Sequence, residues 1–161
     1  LVRVYHNVRD VGPVYLSGGE IPDSLRRRID CPIVADRVPH RGPLGGLVST
    51  FESVAADRIF VVAGDAPFVD ATVLRTLADR WESGLQGVIA ESSHGLEPLC
   101  ALYDRQAFLT AAALELDQGL ASVAAAAKGL RHERVLFPDP VLASINTPAD
   151  RDALFGTPQC A

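Results

Sequence analysis

At 161 residues, 48% of them hydrophobic and 22% charged, the chain has the size and balance of one well-cored domain, without internal repeat or linker. A net charge of −5 with one lysine, Lys128, argues against a general nucleic-acid binder, and no uncharged stretch approaches the roughly 20 apolar residues that cross a bilayer. The opening residues lack the layout of a secretory signal, and Cys31, Cys100 and Cys160 are odd in number and far apart, so the expectation is reduced thiols in the cytoplasm rather than disulfides or a zinc site.

Taken in order, the residues alternate between two patterns. Short runs rich in Val, Ile and Leu predict buried strands at 11–17, 32–35, 58–63, 86–90 and 98–103. Helical spacing predicts helices over 22–29, 44–56, 71–81 and 106–116, then a helix at 120–128, a strand at 134–137 and a last helix at 148–154 opened by Asn-Thr-Pro. The alternation predicts an α/β fold in which helices cover a mostly parallel central sheet. Because Glu97-Pro98 breaks the preceding turn, the strand there is expected to span 97–103 on one side of the cleft.

In open sheets of this kind ligands bind beyond the carboxyl ends of the strands, so the residues just after each apolar run are the candidates for chemistry. Val-Ala-Gly-Asp-Ala-Pro at 62–67 carries an apolar strand straight into a glycine and a carboxylate. Asp65 is the leading metal-ligand candidate, because glycine leaves backbone room for a phosphate and a Mg²⁺ bridging phosphate oxygens takes only one or two protein carboxylates. The same residue equally suits a cap for the following turn. Arg-Gly-Pro-Leu-Gly-Gly at 41–46 offers backbone amides at a helix start, suited to a phosphate or the polar edge of a base, and also reads as loop punctuation. Asp36 ends a short apolar run six residues before Gly42, placed either for ribose or base contact or as a solvated turn. Asn146, in Ser-Ile-Asn-Thr-Pro, offers an amide just before a helix that it or Thr147 is suited to cap. The expected arrangement sets Asp65 at the carboxyl end of a central strand, facing a cleft shared with 42–46.

Other polar residues read as structural. Arg26, Arg27 and Arg28 form a solvated helix face, the scattered histidines make no metal cluster, Cys100 is a buried inert thiol and Trp81 anchors the core. His40 and Arg41 flank the glycine run, within reach of a phosphate.

The ordered set Gly-Pro-Leu-Gly-Gly, Val-Val-Ala-Gly-Asp-Ala-Pro-Phe-Val, Glu-Pro-Leu-Cys-Ala-Leu-Tyr and Ile-Asn-Thr-Pro-Ala-Asp, running from Val11 to about Phe155, resembles the molybdenum cofactor guanylyltransferases, MobA-like nucleotidyltransferases. The resemblance implies a three-layer Rossmann-like nucleotidyltransferase fold, GTP and molybdopterin as substrates, Mg²⁺ as cofactor, and the guanine dinucleotide cofactor and pyrophosphate as products. Other proteins of molybdenum cofactor biosynthesis are the implied partners. By position it implies Asp65 as the catalytic, magnesium-binding Asp, Asp36 as the guanosine-contacting Asp, and Gly42, Pro43, Leu44 and Gly45 as the run beside the base. Ser17 takes the nucleotide-binding place at the end of the first visible strand, where guanylyltransferases of this type present Asn, and Asn146 is the late active-site Asn on the acceptor side.

The family's opening Leu-Ala-Gly-Gly loop, with its Arg and Lys, has no counterpart in these residues. The expectation is therefore one nucleotidyltransferase domain over 1–161 that lacks its first strand and glycine-rich loop, with residues before Leu1 supplying both. Two other functions remain open: a related nucleotidyltransferase with a cytidylyl donor or sugar-phosphate acceptor, and a non-catalytic homologue that binds nucleotide or a partner protein.

Overall fold

The computed structural model describes residues 1–19, 21–37, 41–147, 149, 150 and 152. In chain order the elements are α1 (Val2–Val8), β1 (Leu16–Ser17), α2 (Asp23–Arg26), β2 (Ile33–Val34), α3 (Gly42–Ser53), β3 (Arg58–Val62) and α4 (Ala71–Asp79). They continue with β4 (Gly87–Ser92), β5 (Gly95–Asp104), α5 (Arg105–Asp117), α6 (Val123–Lys128), β6 (His132–Leu136) and α7 (Asp139–Leu142).

The strands form a parallel pair, β1 with β2, and a four-stranded sheet in the order β3-β5-β4-β6. In the larger sheet β5 runs antiparallel to both neighbours and β6 parallel to β4, so three strands share one direction and β5 alone is reversed. Central β4 is buried on both faces over Gly87–Ala90, which is why its sequence is a continuous apolar run rather than an alternation. Along β5 the pleat sends Ala101 and Tyr103 to one face and Cys100 and Leu102 to the other.

Helices cover both faces and make three layers. On one side α3, α5 and α6 pack Leu44, Phe51, Phe108 and Ala126 against Val61, Ile89 and Tyr103. On the other, Val73, Leu74 and Leu77 of α4 meet Val88, Ala90 and Leu102, with Val8 of α1 and Leu142 of α7 closing the edges. Three helix starts are fixed by side-chain caps: Asp70 accepts from the amides of Thr72 and Val73, Asp104 from Ala107, and Ser122 from Ala125.

The strand expected over 97–103 is present within β5, and its proline explains an irregularity. The β4–β5 register jumps between Ile89 and Ala90, which shifts Pro98 out of a ladder it cannot donate to. The buried Tyr103 hydroxyl donates to the Pro98 carbonyl at 2.8 Å and holds this bulge. Tyr103→Phe leaves that carbonyl unpaired and is expected to cost about 1 kcal/mol in urea unfolding.

Two expectations from spacing are corrected. The strand at 11–17 pairs only at Leu16–Ser17, since Pro13 cannot donate and Val11 sits in a turn that follows α1. Helices α1 and α7 answer no predicted element: α1 carries three β-branched valines and no side-chain cap, yet buries Val4 and Val8, one turn apart.

Cys100 is the buried thiol expected of it. Burial first, and the Glu97 carboxylate second, push its pKa up to about 12, so it stays protonated at neutral pH. Cys31 is only half-buried. Alkylation of the native protein near pH 8, followed by peptide mapping, is expected to modify Cys31 well before Cys100, with Cys100 reacting only after denaturation. Trp81 is half-buried against the second core, and the Arg58 guanidinium sits 5.1 Å from its ring centroid.

Candidate functional site at the strand ends

The chemistry-bearing residues sort into two groups, each at the carboxyl end of strands. The first is built around α3. Its opening turn contains the glycine run itself, so residues 42–45 form the first turn of a helix rather than a free loop. Gly42 takes φ +56, a conformation that favours glycine, and Pro43 comes next within the first helical positions, where its missing amide costs nothing. Arg41 supplies no side-chain cap. Gly42 and Pro43 are exposed, whereas the Leu44 side chain is fully buried in the core, so Leu44 has only its backbone to offer a ligand.

Two hydroxyls of α3 bond back to its glycine carbonyls, and one of them also ties the segment after β2 to the helix. Ser49, buried on α3, accepts from the Arg37 amide at 3.1 Å and donates to the Gly45 carbonyl at 2.9 Å, while Thr50 donates to the Gly46 carbonyl at 2.9 Å. Asp36 is thereby held against the body of α3, with Arg37 paired to Glu52 at 3.2 Å. Gly46 is the meeting point: a Cβ there would lie 2.8 Å from Asp36 Oδ1 and 2.9 Å from Ser17 Oγ. The structure thus brings together Ser17, Asp36 and the helix start. Gly46 lies within the 41–46 run read from the sequence, one residue beyond the four that the resemblance places beside the base.

The second group stands where β3 ends. After Val62 the chain turns, with the Ala66 amide bonded to the Ala63 carbonyl at 3.3 Å, and Asp65 is half-buried in that turn. Its side chain makes no hydrogen bond or ion pair with the described residues, and the next helix start is capped by Asp70 instead. The alternative of Asp65 as a cap therefore fails.

The Asp65 carbonyl accepts from the Ile145 amide at 2.9 Å, which seats Asn146 beside it. Thr147 and Asp150 form a reciprocal pair: Asp150 Oδ2 accepts from the Thr147 and Asn146 amides at 2.7 and 3.0 Å, and Thr147 Oγ1 accepts from the Asp150 amide at 3.1 Å. These bonds hold the Asp150 carboxyl below the ordinary carboxylate range, the Thr147 amide contributing most. Thr147 is thus the capping residue, and among the described residues the Asn146 side-chain amide makes no hydrogen bond. Of the helix expected at 148–154, only residues 149, 150 and 152 are described.

Two further expectations change. Among the described residues β3 is an edge strand, paired with β5 alone, rather than a central one. Arg41 Nη1 donates to the Leu116 carbonyl at the end of α5, at 3.1 Å, which commits it to joining two helices. His40 lies outside the described residues. Helix α3 links the two groups, since it packs on β1 and β2 and shares its core with Val61 of β3.

The model of the MobA-like NTP transferase domain matches residues 1–135. The chain belongs to this family. It is 32% identical over 123 residues to the molybdenum cofactor guanylyltransferase of Desulfosudis oleivorans, a match covering 71% of this chain and 60% of that protein. The fold is also that of molybdopterin-guanine dinucleotide biosynthesis protein A from Archaeoglobus fulgidus (TM-score 0.64, 22% identity, 82% of this chain and 70% of that one). Glucosyl-3-phosphoglycerate synthase from Mycobacterium tuberculosis, solved with Mn²⁺, uridine diphosphate and phosphoglyceric acid, shares it too (TM-score 0.65, 14% identity, 94% and 68%). The family match bears out the resemblance and spans the first three of its four motifs, and the two structures bear out the Rossmann-like architecture. No helix among the described residues is long and apolar enough to cross a membrane.

Proposed function

We propose that the full-length protein is a cytoplasmic guanylyltransferase that joins GMP from GTP to the phosphate of molybdopterin, giving the guanine dinucleotide cofactor and pyrophosphate. The observation that carries this reading is the convergence of the Asp36 carboxylate and the Ser17 hydroxyl on Gly46, one turn into α3. A carboxylate only accepts, so it complements the adjacent ring N–H and exocyclic amine of guanine, whereas cytosine and adenine each set an acceptor beside their amine. The exposed turn at Gly42 and Pro43 lies beside the base, and Asn146 serves the acceptor side.

In the transfer, a terminal phosphate oxygen of molybdopterin attacks the α-phosphorus of GTP in line. The bond from that phosphorus to the oxygen bridging toward the β-phosphate breaks, and pyrophosphate leaves with the electron pair. Asp65 suits a metal that arrives with the nucleotide, because its carboxylate is uncommitted and no cluster of three metal-ligating side chains exists among the described residues. A Mg²⁺ held there and by phosphate oxygens would supply charge neutralisation for the leaving pyrophosphate.

The open edges of β1 and β3 support the proposal that the full-length domain contains one more strand, followed by the glycine-rich loop. Among the described residues β1 pairs only with β2 and β3 only with β5, which leaves unpaired backbone donors and acceptors along both. The chain spans 60% of the Desulfosudis protein, so the relative has residues to spare for such a segment.

Competition of unlabelled GTP, CTP and ATP against labelled GTP on the full-length protein tests the reading. GTP is expected to compete at least about tenfold better than the others, and Asp36→Asn to erase most of that lead. Equal competition by CTP would favour a cytidylyl donor.

A further inference from the structure

At the amino ends of β1 and β2, opposite the ends that carry Ser17 and Asp36, lies a surface that the proposed transfer does not use. Two shallow depressions share Tyr5, Arg9 and Asp30 as walls and so form one groove between α1 and α2. One half is lined by Arg26, Arg27 and Arg28 together with His6, the other by Tyr15 with Pro13, Val14 and Cys31.

The three consecutive arginines do nothing visible for the fold. Helix α2 buries none of its residues, and Arg26, Arg27 and Arg28 are exposed and make no ion pair among the described residues. Crowding like charges costs free energy that nothing in the fold offsets. The groove is nevertheless well braced: the Tyr5 hydroxyl donates to the Asp30 carbonyl at 2.8 Å and ties α1 to the segment that enters β2. Asp30 is the only acidic residue in the lining, and Arg9 is weakly paired to the exposed Asp10 at 3.9 Å. In a chain of net charge −5 this is a local inversion of sign.

We propose that the groove docks an acidic segment of a partner protein, its carboxylates on Arg26, Arg27, Arg28 and Arg9 and an aromatic or aliphatic side chain beside Tyr5 and Tyr15. Arginine forks match carboxylates in pairs, and the apolar half gives such a segment a place to bury side-chain area. A small anion is poorly served, because the arginines stand in solvent, where single contacts are screened. A nucleic-acid strand needs a longer basic track than four arginines in an acidic chain.

The test uses the full-length protein and a fluorescein-labelled decapeptide of alternating Asp and Glu around a central Phe. Anisotropy is expected to show binding at low ionic strength, weakened at least about tenfold by the combined Arg26→Glu, Arg27→Glu and Arg28→Glu variant. The peptide is also expected to slow alkylation of Cys31, which lines the apolar half, while inorganic phosphate does not. Since α2 buries nothing, the variant is expected to melt like the parent and to bind GTP unchanged, so the outcome is independent of the transfer reaction. Absence of binding at low ionic strength, affinity unaffected by the charge reversal, or displacement of the peptide by oligothymidylate or phosphate at equal concentration overturns the proposal.

Discussion

Asp65→Asn in the full-length protein is expected to lower Mg²⁺-dependent pyrophosphate release by roughly 10²–10³-fold or more while leaving the thermal midpoint nearly unchanged. The two side chains are close to isosteric, and the Asp65 carboxylate makes no hydrogen bond or ion pair with the described residues whose loss would loosen the fold. Its carbonyl, which accepts from the Ile145 amide, is untouched by the change. The substitution removes the charge proposed to help hold a metal against phosphate oxygens, and such contacts carry much of the transition-state stabilisation in nucleotidyl transfer. Rate and stability therefore separate. A modest loss of activity, equal to that of Asp36→Asn, would mean that Asp65 is only a turn residue.

Gly46→Ala is expected to move stability and binding in opposite directions. Within a helix, Ala in place of Gly gains up to about 1 kcal/mol of intrinsic propensity. The new methyl group would sit 2.8 Å from Asp36 Oδ1 and 2.9 Å from Ser17 Oγ, too close for either to stay. Both atoms are the ends of short side chains, so they swing aside at little cost to the core, and the pair proposed to address the base is re-aimed. Nucleotide affinity is expected to fall by about tenfold or more, with the unfolding midpoint held or raised. Calorimetric titration with GTP beside a urea melt checks both; unchanged affinity would remove Ser17 and Asp36 from the site together.

Much of this was legible in the residues. The continuous apolar run of β4 and the strand-glycine-Asp sequence at 62–65 announce a sheet with a carboxylate beyond its edge, because burial on both faces and a tight turn each leave a compositional trace. Asp36 and the glycine run were likewise readable as polar and glycine residues placed after short apolar runs. Three features left no trace. Helix α1 is written in valines that read as extended chain, and its packing on the far core decides its conformation. Arg41 points toward Leu116, a partner far along the chain that no local pattern encodes. The meeting of Ser17 and Asp36 over Gly46 depends on how β1, β2 and α3 come together, so the sequence marks each residue but not their convergence.

Asp36, Ser17 and Gly46 are proposed to select a guanine nucleotide whose α-phosphorus Asp65 helps to transfer. Pyrophosphate release by the full-length protein, measured with molybdopterin, Mg²⁺ and each nucleoside triphosphate in turn, tests it most directly. Release with GTP is expected to stand well above that with CTP, ATP or UTP and to be lost in Asp65→Asn. Release with CTP equal to or above that with GTP, or GTP-dependent release that survives Asp65→Asn, would contradict it.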